Sequence, residues 1–197
     1  LREMLDGDDE VIPGYAPPLL RDGELVISQT ANICAYLAGE HGLVPAGEEA
    51  RLHANQLQLT MQDLLREAHD THHPIAVSLY YDDQKDAAKR RSKAFRQDRM
   101  PKYLEYFERA ARTHSGAWFF GEDVSYPDLS MFQMLAGLEY AFPNAFAELA
   151  GEYEALGRLR EAVADRPRID SYLASERRID FNEHGIFRRY PELDSVD

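Results

Sequence analysis

The sequence predicts a short α/β unit followed by a larger all-α unit, and two observations support that prediction. Residues 17–27 hold two short apolar runs around Asp22-Gly23, a dipeptide typical of β-hairpin turns. Beyond residue 50, apolar residues recur at helical spacing and no further strand pattern is visible. We therefore divide the chain of 197 residues into residues 1–43, a linker at 44–50, and residues 51–197.

The first unit is predicted to begin with the end of a helix at residues 1–5. The hairpin follows, with Leu25-Val26-Ile27 as its second strand, and its apolar residues suggest the buried edge of a larger sheet. A helix then opens near Gln29-Thr30, because Ile33, Tyr36 and Leu37 lie on one helical face. Gly42 is well placed as its C-cap.

The all-α unit is predicted from the periodicity of its apolar residues. A first helix carries Leu57, Met61, Leu64, Leu65 and Ala68 on one face and is interrupted by Pro74. A second long helix is predicted over residues 85–112, where Pro101 kinks or divides it.

The remaining helices are predicted from caps and shorter apolar patterns. Ser125 and Asp128 have the spacing of a capping box rather than that of a catalytic pair, so they open a helix. Further helices are expected at residues 145–156, 156–164 and 169–176.

Composition limits the classes of partner. The net charge of −13 repels phosphate backbones and anionic membranes, so we expect neither nucleic acid nor a membrane as a partner. No apolar run approaches the roughly 20 residues that a membrane-spanning helix needs. Cys34 is the single cysteine, so no intrachain disulfide can form, which fits a reducing cytoplasm. We interpret Cys34 as a buried, inert thiol.

The order of these motifs resembles the cytosolic glutathione S-transferase family. Residues 17–37, PPLLRDGELVISQTANICAYL, are similar to its central pattern of cis-proline, hairpin, Gln/Glu-Ser/Thr and an Ile-x-x-Tyr-Leu helix. Ser125-Tyr126-Pro127-Asp128 resembles the capping box of the family's buried helix. The C-terminal segments resemble those of bacterial members: Arg168-Ile169, Tyr172-Leu173, Gly185-Ile186-Phe187-Arg188 and Tyr190-Pro191-Glu192-Leu193.

The resemblance implies a thioredoxin-like α/β N-terminal domain, truncated in this chain, followed by an all-α helical-bundle C-terminal domain. It implies that Gln29 and Thr30 bind the γ-glutamyl end of glutathione, and a helix N-terminus suits a carboxylate there. The residue before a cis-proline would pair with the cysteinyl part of the peptide. Spacing favours Pro18 as the cis residue, which leaves Pro17 without an N–H to donate. If Pro17 is cis instead, Ala16 keeps its N–H and its C=O.

The family's catalytic Tyr, Ser or Cys lies upstream of everything in this sequence, so the catalytic residue is unknown. Because a hairpin with one helix is a marginal structure, we expect some tens of further residues before Leu1 that carry a strand-helix-strand unit.

A second group of residues follows Leu65. His69, His72 and His73 share one helix face, but Pro74 follows and no further ligand pair is placed by sequence, so we predict no metal site. We interpret this region as a polar helix end beside the active-site cleft. By resemblance, the acceptor pocket or the dimer interface includes Asp63, Thr71, His72, Tyr80 and Tyr81, and Asp63 could reach the glutathione of a neighbouring subunit.

The resemblance implies conjugation of glutathione, as a co-substrate and without a further cofactor, to a hydrophobic electrophile. It further implies detoxification in the cytoplasm by a homodimer. Two alternatives stay open: other glutathione chemistry, such as disulfide or peroxide reduction or isomerisation, and a non-catalytic transferase-like binding module.

Overall fold

A computed structural model describes residues 12–195, so the helix end predicted at residues 1–5 lies outside the described part. The predicted hairpin is confirmed. Strand β1 (Leu19–Asp22) pairs antiparallel with β2 (Leu25–Ser28), in a register that places Leu19 opposite Ser28. Gly23 has a φ of 58°, a left-handed conformation that glycine adopts without a steric penalty.

Within residues 12–195 the sheet consists of these two strands alone. The larger sheet that the apolar pattern suggested is therefore not found among the described residues. Leu25 is correspondingly 43% exposed. Helix α1 (Thr30–Glu40) follows, and the Tyr36 hydroxyl donates to Asp22 Oδ2 at 2.6 Å, which joins α1 to β1. The hairpin and α1 therefore form one small α/β unit.

The secondary structure in the rest of the described chain is helical, as predicted, apart from one isolated β-bridge between Trp118 and Gly121. Its α-helices are α2 (Glu48–Asp70), α3 (Lys85–Ala94), α4 (Met100–Ala111), α5 (Tyr126–Ala141), α6 (Pro143–Ala150), α7 (Glu154–Ala164) and α8 (Pro167–Leu173). Two 3₁₀ turns lie at Tyr81–Asp83 and Pro191–Leu193. None of the helices in residues 12–195 has the length and apolar character that crossing a membrane requires.

Helix α5 lies at the centre of this bundle and packs against α1, α2, α6 and α7. Its Met131 and Leu138 are fully buried, as are Phe107 of α4 and Leu159 of α7. The capping box that opens α5 is confirmed. Asp128 accepts hydrogen bonds from the backbone N–H groups of Ser125 (2.7 Å) and Phe119 (2.9 Å), so its role is structural.

The long helix predicted over residues 85–112 is divided, as Pro101 suggested. A π-helical turn (Phe95–Arg99) separates α3 from α4, and the Met100 N–H bonds to the Phe95 carbonyl across five residues. Pro101 lies just after this turn, and because it has no N–H to continue the regular bond ladder, it accounts for an irregular turn at this point.

The predicted bounds of α6, α7 and α8 differ from those observed. The helix expected over residues 145–156 is α6, which ends at Ala150, and α7 begins at Glu154. The helix expected over residues 169–176 is α8, which begins at Pro167 and ends at Leu173. Apolar spacing did not reveal where α6 and α8 begin, because both open on a proline, which lies outside the apolar pattern although its fixed φ suits the first turn of a helix.

Candidate functional site

The residues that the sequence assigned to glutathione meet at one end of the hairpin. The Pro17-Pro18 peptide bond is cis, which decides between the two alternatives in favour of Pro18. Because Leu19 pairs with Ser28, Pro18 and Gln29 are the next residue on each strand at the same end. Ala16, Pro17 and Pro18 are exposed there. Pro17 offers a carbonyl acceptor but no N–H donor.

Helix α1 begins at that same end. Gln29 precedes it with φ 73° and ψ 121°, the one non-glycine residue of positive φ in the described chain. Such conformations cluster at functional sites. Thr30 is the first helical residue and is exposed, and the first turn carries no acidic residue. The unpaired N–H groups of this helix end are therefore available to an anion.

Thr30 also lines a cavity of about 420 Å³ between α1, α2 and α5. The other lining residues are mostly apolar and include Cys34, Met61, Leu65, Met134 and Phe187. Such a cavity suits an apolar group next to the polar helix end.

Gln58 is a polar residue of this cavity that the sequence analysis missed. It is 1% exposed, and its Oε1 has no hydrogen-bond partner among the described residues. A buried amide oxygen without a donor costs free energy, so this oxygen is a ready acceptor for an N–H that enters the cavity. Its position on the apolar face of α2, beside Leu57, was a signal that could have revealed it.

Cys34 lies half-buried in the same cavity. Burial raises the pKa of its thiol, so the thiol stays protonated near neutral pH. This agrees with an inert cysteine and argues against Cys34 as a nucleophile.

The residues expected at an acceptor pocket or interface do not all meet. Tyr80 and Tyr81 line a second cavity, of about 700 Å³, together with His73, Arg188 and Glu192. Thr71 is 1% exposed, and its hydroxyl donates to the Ala68 carbonyl at 2.7 Å. His72 is also 1% exposed, whereas Asp63 lies on the exposed face of α2.

Tyr81 contacts residues 185–194, which follow α8 and are called the C-terminal segment below. Its hydroxyl donates to Glu192 Oε1 at 2.9 Å, and its ring stacks on Tyr190 at a centroid distance of 3.8 Å. Burial, assisted by the hydrogen bond to Glu192, raises the pKa of Tyr81 far above its ordinary value. Tyr81 is therefore a hydroxyl, never a phenolate, at physiological pH.

His72 is positioned by a contact with the same C-terminal segment. Its Nε2 lies 2.8 Å from the Ile186 carbonyl. Burial lowers the pKa of His72 to about 4, although the contact with Ile186 opposes this effect. The imidazole is neutral at pH 7, and it lies beside His69 and His73.

Known proteins resemble this chain in sequence and in fold. The family described as "Glutathione S-transferase, C-terminal domain" matches residues 69–176, more than half of the chain. A glutathione S-transferase of Plasmodium yoelii yoelii is 22% identical over 169 residues, 86% of this chain and 72% of the relative. Glutathione S-transferase P 1 of Xenopus laevis is 25% identical over 163 residues, 82% of this chain and 69% of the relative.

Solved structures share the fold. The Pi-class glutathione S-transferase of Onchocerca volvulus has a TM-score of 0.63 at 21% identity, over 80% of this chain and 69% of its own. The glutathione S-transferase Blo t 8 has a TM-score of 0.68 at 15% identity, over 89% and 74%. A two-stranded hairpin with one helix, followed by the helical bundle, is consistent with part of a thioredoxin-like domain and the family's C-terminal domain. The chain therefore belongs to the glutathione S-transferase family.

Proposed function

We propose that this protein conjugates glutathione to hydrophobic electrophiles. The observation that carries the proposal is the shared position of three features at one end of the hairpin: the cis Pro17-Pro18 bond, the strained Gln29 and the N-terminus of α1. The γ-glutamyl carboxylate binds at the N–H groups of α1 with the Thr30 hydroxyl as a further donor, and Gln29 supplies both a donor and an acceptor.

The apolar cavity beside Thr30 and the cavity at Tyr80 and Tyr81 are the candidate places for the acceptor. Catalysis then consists of holding the glutathione sulfur, as a thiolate, against the electrophile. We further propose that the protein is a bacterial-type member of the family, that it forms a homodimer, and that it acts in detoxification in the cytoplasm. Asp63, exposed on α2, is available to a neighbouring subunit.

The full-length protein tests the proposal through retention on immobilised glutathione and turnover of a chromogenic aryl halide. Retention with turnover is expected. Retention without turnover would favour other glutathione chemistry, and failure to bind would favour the non-catalytic module. Sedimentation equilibrium tests the dimer.

Thr30→Ala tests the site itself. Removing one donor to a carboxylate should weaken glutathione binding by about tenfold, while the melting temperature changes little because Thr30 is exposed. Isothermal titration calorimetry and a thermal melt measure the two effects. Thr113→Ala, an equally exposed threonine after α4, is the matched control. If Thr30→Ala and the wild type bound glutathione with equal affinity, Thr30 would not be part of the binding site.

A further inference from the structure

Three histidines converge where α2 ends. One ring nitrogen from each of His69, His72 and His73 lies within 4.8 Å of the others, and the ring centroids are 4.8 to 5.2 Å apart. Although α2 ends at Asp70, the His72 N–H still bonds to the His69 carbonyl at 3.2 Å. This bonded turn keeps the three side chains on one face, even though Pro74 follows.

Two of the three rings have a carbonyl or carboxylate partner on one of their nitrogens. The Nε2 of His72 lies 2.8 Å from the Ile186 carbonyl, which accepts its proton and leaves Nδ1 with a free lone pair. The Nδ1 of His69 lies 3.3 Å from Asp70 Oδ1, which leaves Nε2 free in the same way. Carbonyl and carboxylate partners of this kind orient the histidines that bind metals.

The Nδ1 atoms of His72 and His73 face each other at 2.5 Å. Without a metal, the contact is a short hydrogen bond in which His73 donates to the free lone pair of His72. The two nitrogens therefore point into the same space, where a cation could replace the shared proton if the nitrogens move apart.

We propose that His69, His72 and His73 bind one Zn²⁺ ion, with a water molecule as the fourth ligand. Three imidazoles and one open position form a known zinc donor set, whereas Mg²⁺ and Ca²⁺ prefer oxygen. Zinc–nitrogen bonds of about 2.0–2.1 Å place the nitrogens roughly 3.3 Å apart. The Nδ1 atoms of His72 and His73 must therefore move apart, and the most distant of the three nitrogens, at 4.8 Å, must approach by about 1.5 Å.

The partly exposed rings can make that adjustment. His69 has a side chain that is 27% exposed, and His73 is half-buried at the wall of the second cavity, whereas His72 is buried and held by Ile186. His72 thus fixes the site and the other two histidines close around the ion.

Two charges flank the cluster and oppose each other. Asp70 favours a cation beside His69. Arg188, whose Nε donates to the Gly185 carbonyl at 2.8 Å, acts electrostatically on both His72 and His73 and disfavours a cation. We therefore expect a dissociation constant of about 1 to 10 µM rather than the nanomolar affinity of a structural zinc site.

Calorimetric titration of ZnCl₂ into the untagged, chelator-stripped protein tests the proposal. One ion per chain is expected to bind, and MgCl₂ should give no binding. His69→Asn and His73→Asn should each weaken binding by at least about tenfold, whereas His53→Asn, an exposed histidine of α2 outside the cluster, should leave it unchanged. Both test variants change partly exposed residues, and a thermal melt checks that they fold.

Arg188→Gln sharpens the test, because removal of the opposing charge should raise zinc affinity by about threefold or more. A dissociation constant for zinc above about 100 µM in the wild type would overturn the proposal. The contact between His72 and His73 would then be a hydrogen bond between neutral rings. Equal affinity in folded His69→Asn and His73→Asn variants would also overturn it. None of these readouts depends on glutathione, so the proposed function can fail without affecting this inference.

Discussion

Glu67 of α2 shows how one carboxylate joins two parts of the bundle. Arg99, at the end of the π-helical turn, donates to Glu67 Oε1 at 2.7 Å through Nη2, and the Tyr103 hydroxyl donates to the same oxygen at 2.9 Å. Mainly through Arg99, these contacts lower the pKa of Glu67 below its ordinary value. The Glu67 side chain is 18% exposed, so water screens the pair only in part.

We predict that Glu67→Gln reduces the acid sensitivity of the fold. Because the pKa of Glu67 is lower in the folded state, its contribution is present above pH 4.5, the ordinary value, and is lost as the pH falls below it. In the wild type, the free energy of unfolding should therefore lose about 1 kcal/mol from this group, and that loss should be absent from the variant. Urea unfolding at pH 7 and pH 3.5 measures it, with Glu105→Gln, an exposed carboxylate of α4, as the control. The same pH dependence in wild type and Glu67→Gln would contradict this role.

Gln58 gives the second prediction at this scale. Since Oε1 is buried without a partner among the described residues, Gln58→Met should raise the free energy of unfolding by about 1 kcal/mol. Chemical denaturation measures the change, and Gln62→Met, a half-buried residue of the same cavity, is the control. A marked loss of stability in Gln58→Met would mean that this oxygen has a partner in solution.

At the scale of elements, two helices are capped by carboxylates that are distant in sequence. Glu108 of α4 is 4% exposed and accepts the N–H groups of Ala155 and Leu156, both at 3.0 Å, at the start of α7. Asp194 is 2% exposed and accepts the N–H groups of Asn144 and Ala145 at the start of α6. These carboxylates satisfy helix-end donors and oppose the positive end of each helix dipole.

Helix α5 meets the C-terminal segment at a glycine. A Cβ atom on residue 137 would overlap the ring of Phe187, which is 7% exposed and lines the cavity beside Thr30. The absence of a side chain at Gly137 therefore lets this ring lie against α5.

We predict that Gly137→Ala destabilises the protein although alanine favours helices. The propensity gain of about 1 kcal/mol is outweighed by an overlap that costs roughly 1–3 kcal/mol. Gly157→Ala is the matched control, because a methyl group on this exposed glycine of α7 would have no described neighbour within 4 Å and should add about 0.5–1 kcal/mol of stability. Unfolding in guanidinium compares the two variants, and a stabilised Gly137→Ala would contradict the packing argument.

At the scale of the whole molecule, the C-terminal segment ties the bundle together. The Ser92 hydroxyl of α3 donates to the Leu193 carbonyl, Asp194 caps α6, and Glu192 accepts from Tyr81. Leu193 itself is 2% exposed. The segment thus closes the core after the last α-helix has ended.

Leu193→Ala should therefore destabilise the whole fold. Loss of a buried leucine costs about 2–5 kcal/mol, because the cavity left behind adds to the lost burial. Ile186→Ala, which removes a 43% exposed side chain from the same segment, should change stability by less than about 1 kcal/mol. Thermal and urea unfolding measure both variants. Equal effects would show that the segment does not complete the core.

The family resemblance, rather than any one local pattern, assigned Gln29 and Thr30 to the candidate site. The motifs that carry it, a hairpin, a polar dipeptide and a helix, follow one another directly in the sequence. The choice between Pro17 and Pro18 could not be made, since both isomers are compatible with the same local pattern. The contacts of Phe187 with Gly137 and of His72 with Ile186 could not be predicted either, because in each case the two residues belong to different elements.

Sequence patterns were sufficient to predict the hairpin, the periodic helices, the capping box of Ser125 and Asp128, and the break near Pro101. Each of these depends on neighbours within a few residues, whose spacing fixes one backbone geometry. The point at which α6 and α7 divide, the carboxylates that cap them and the orientation of His72 by Ile186 became visible in the three-dimensional fold. Those outcomes depend on contacts between residues as many as 114 positions apart, and no local pattern records which distant groups will meet.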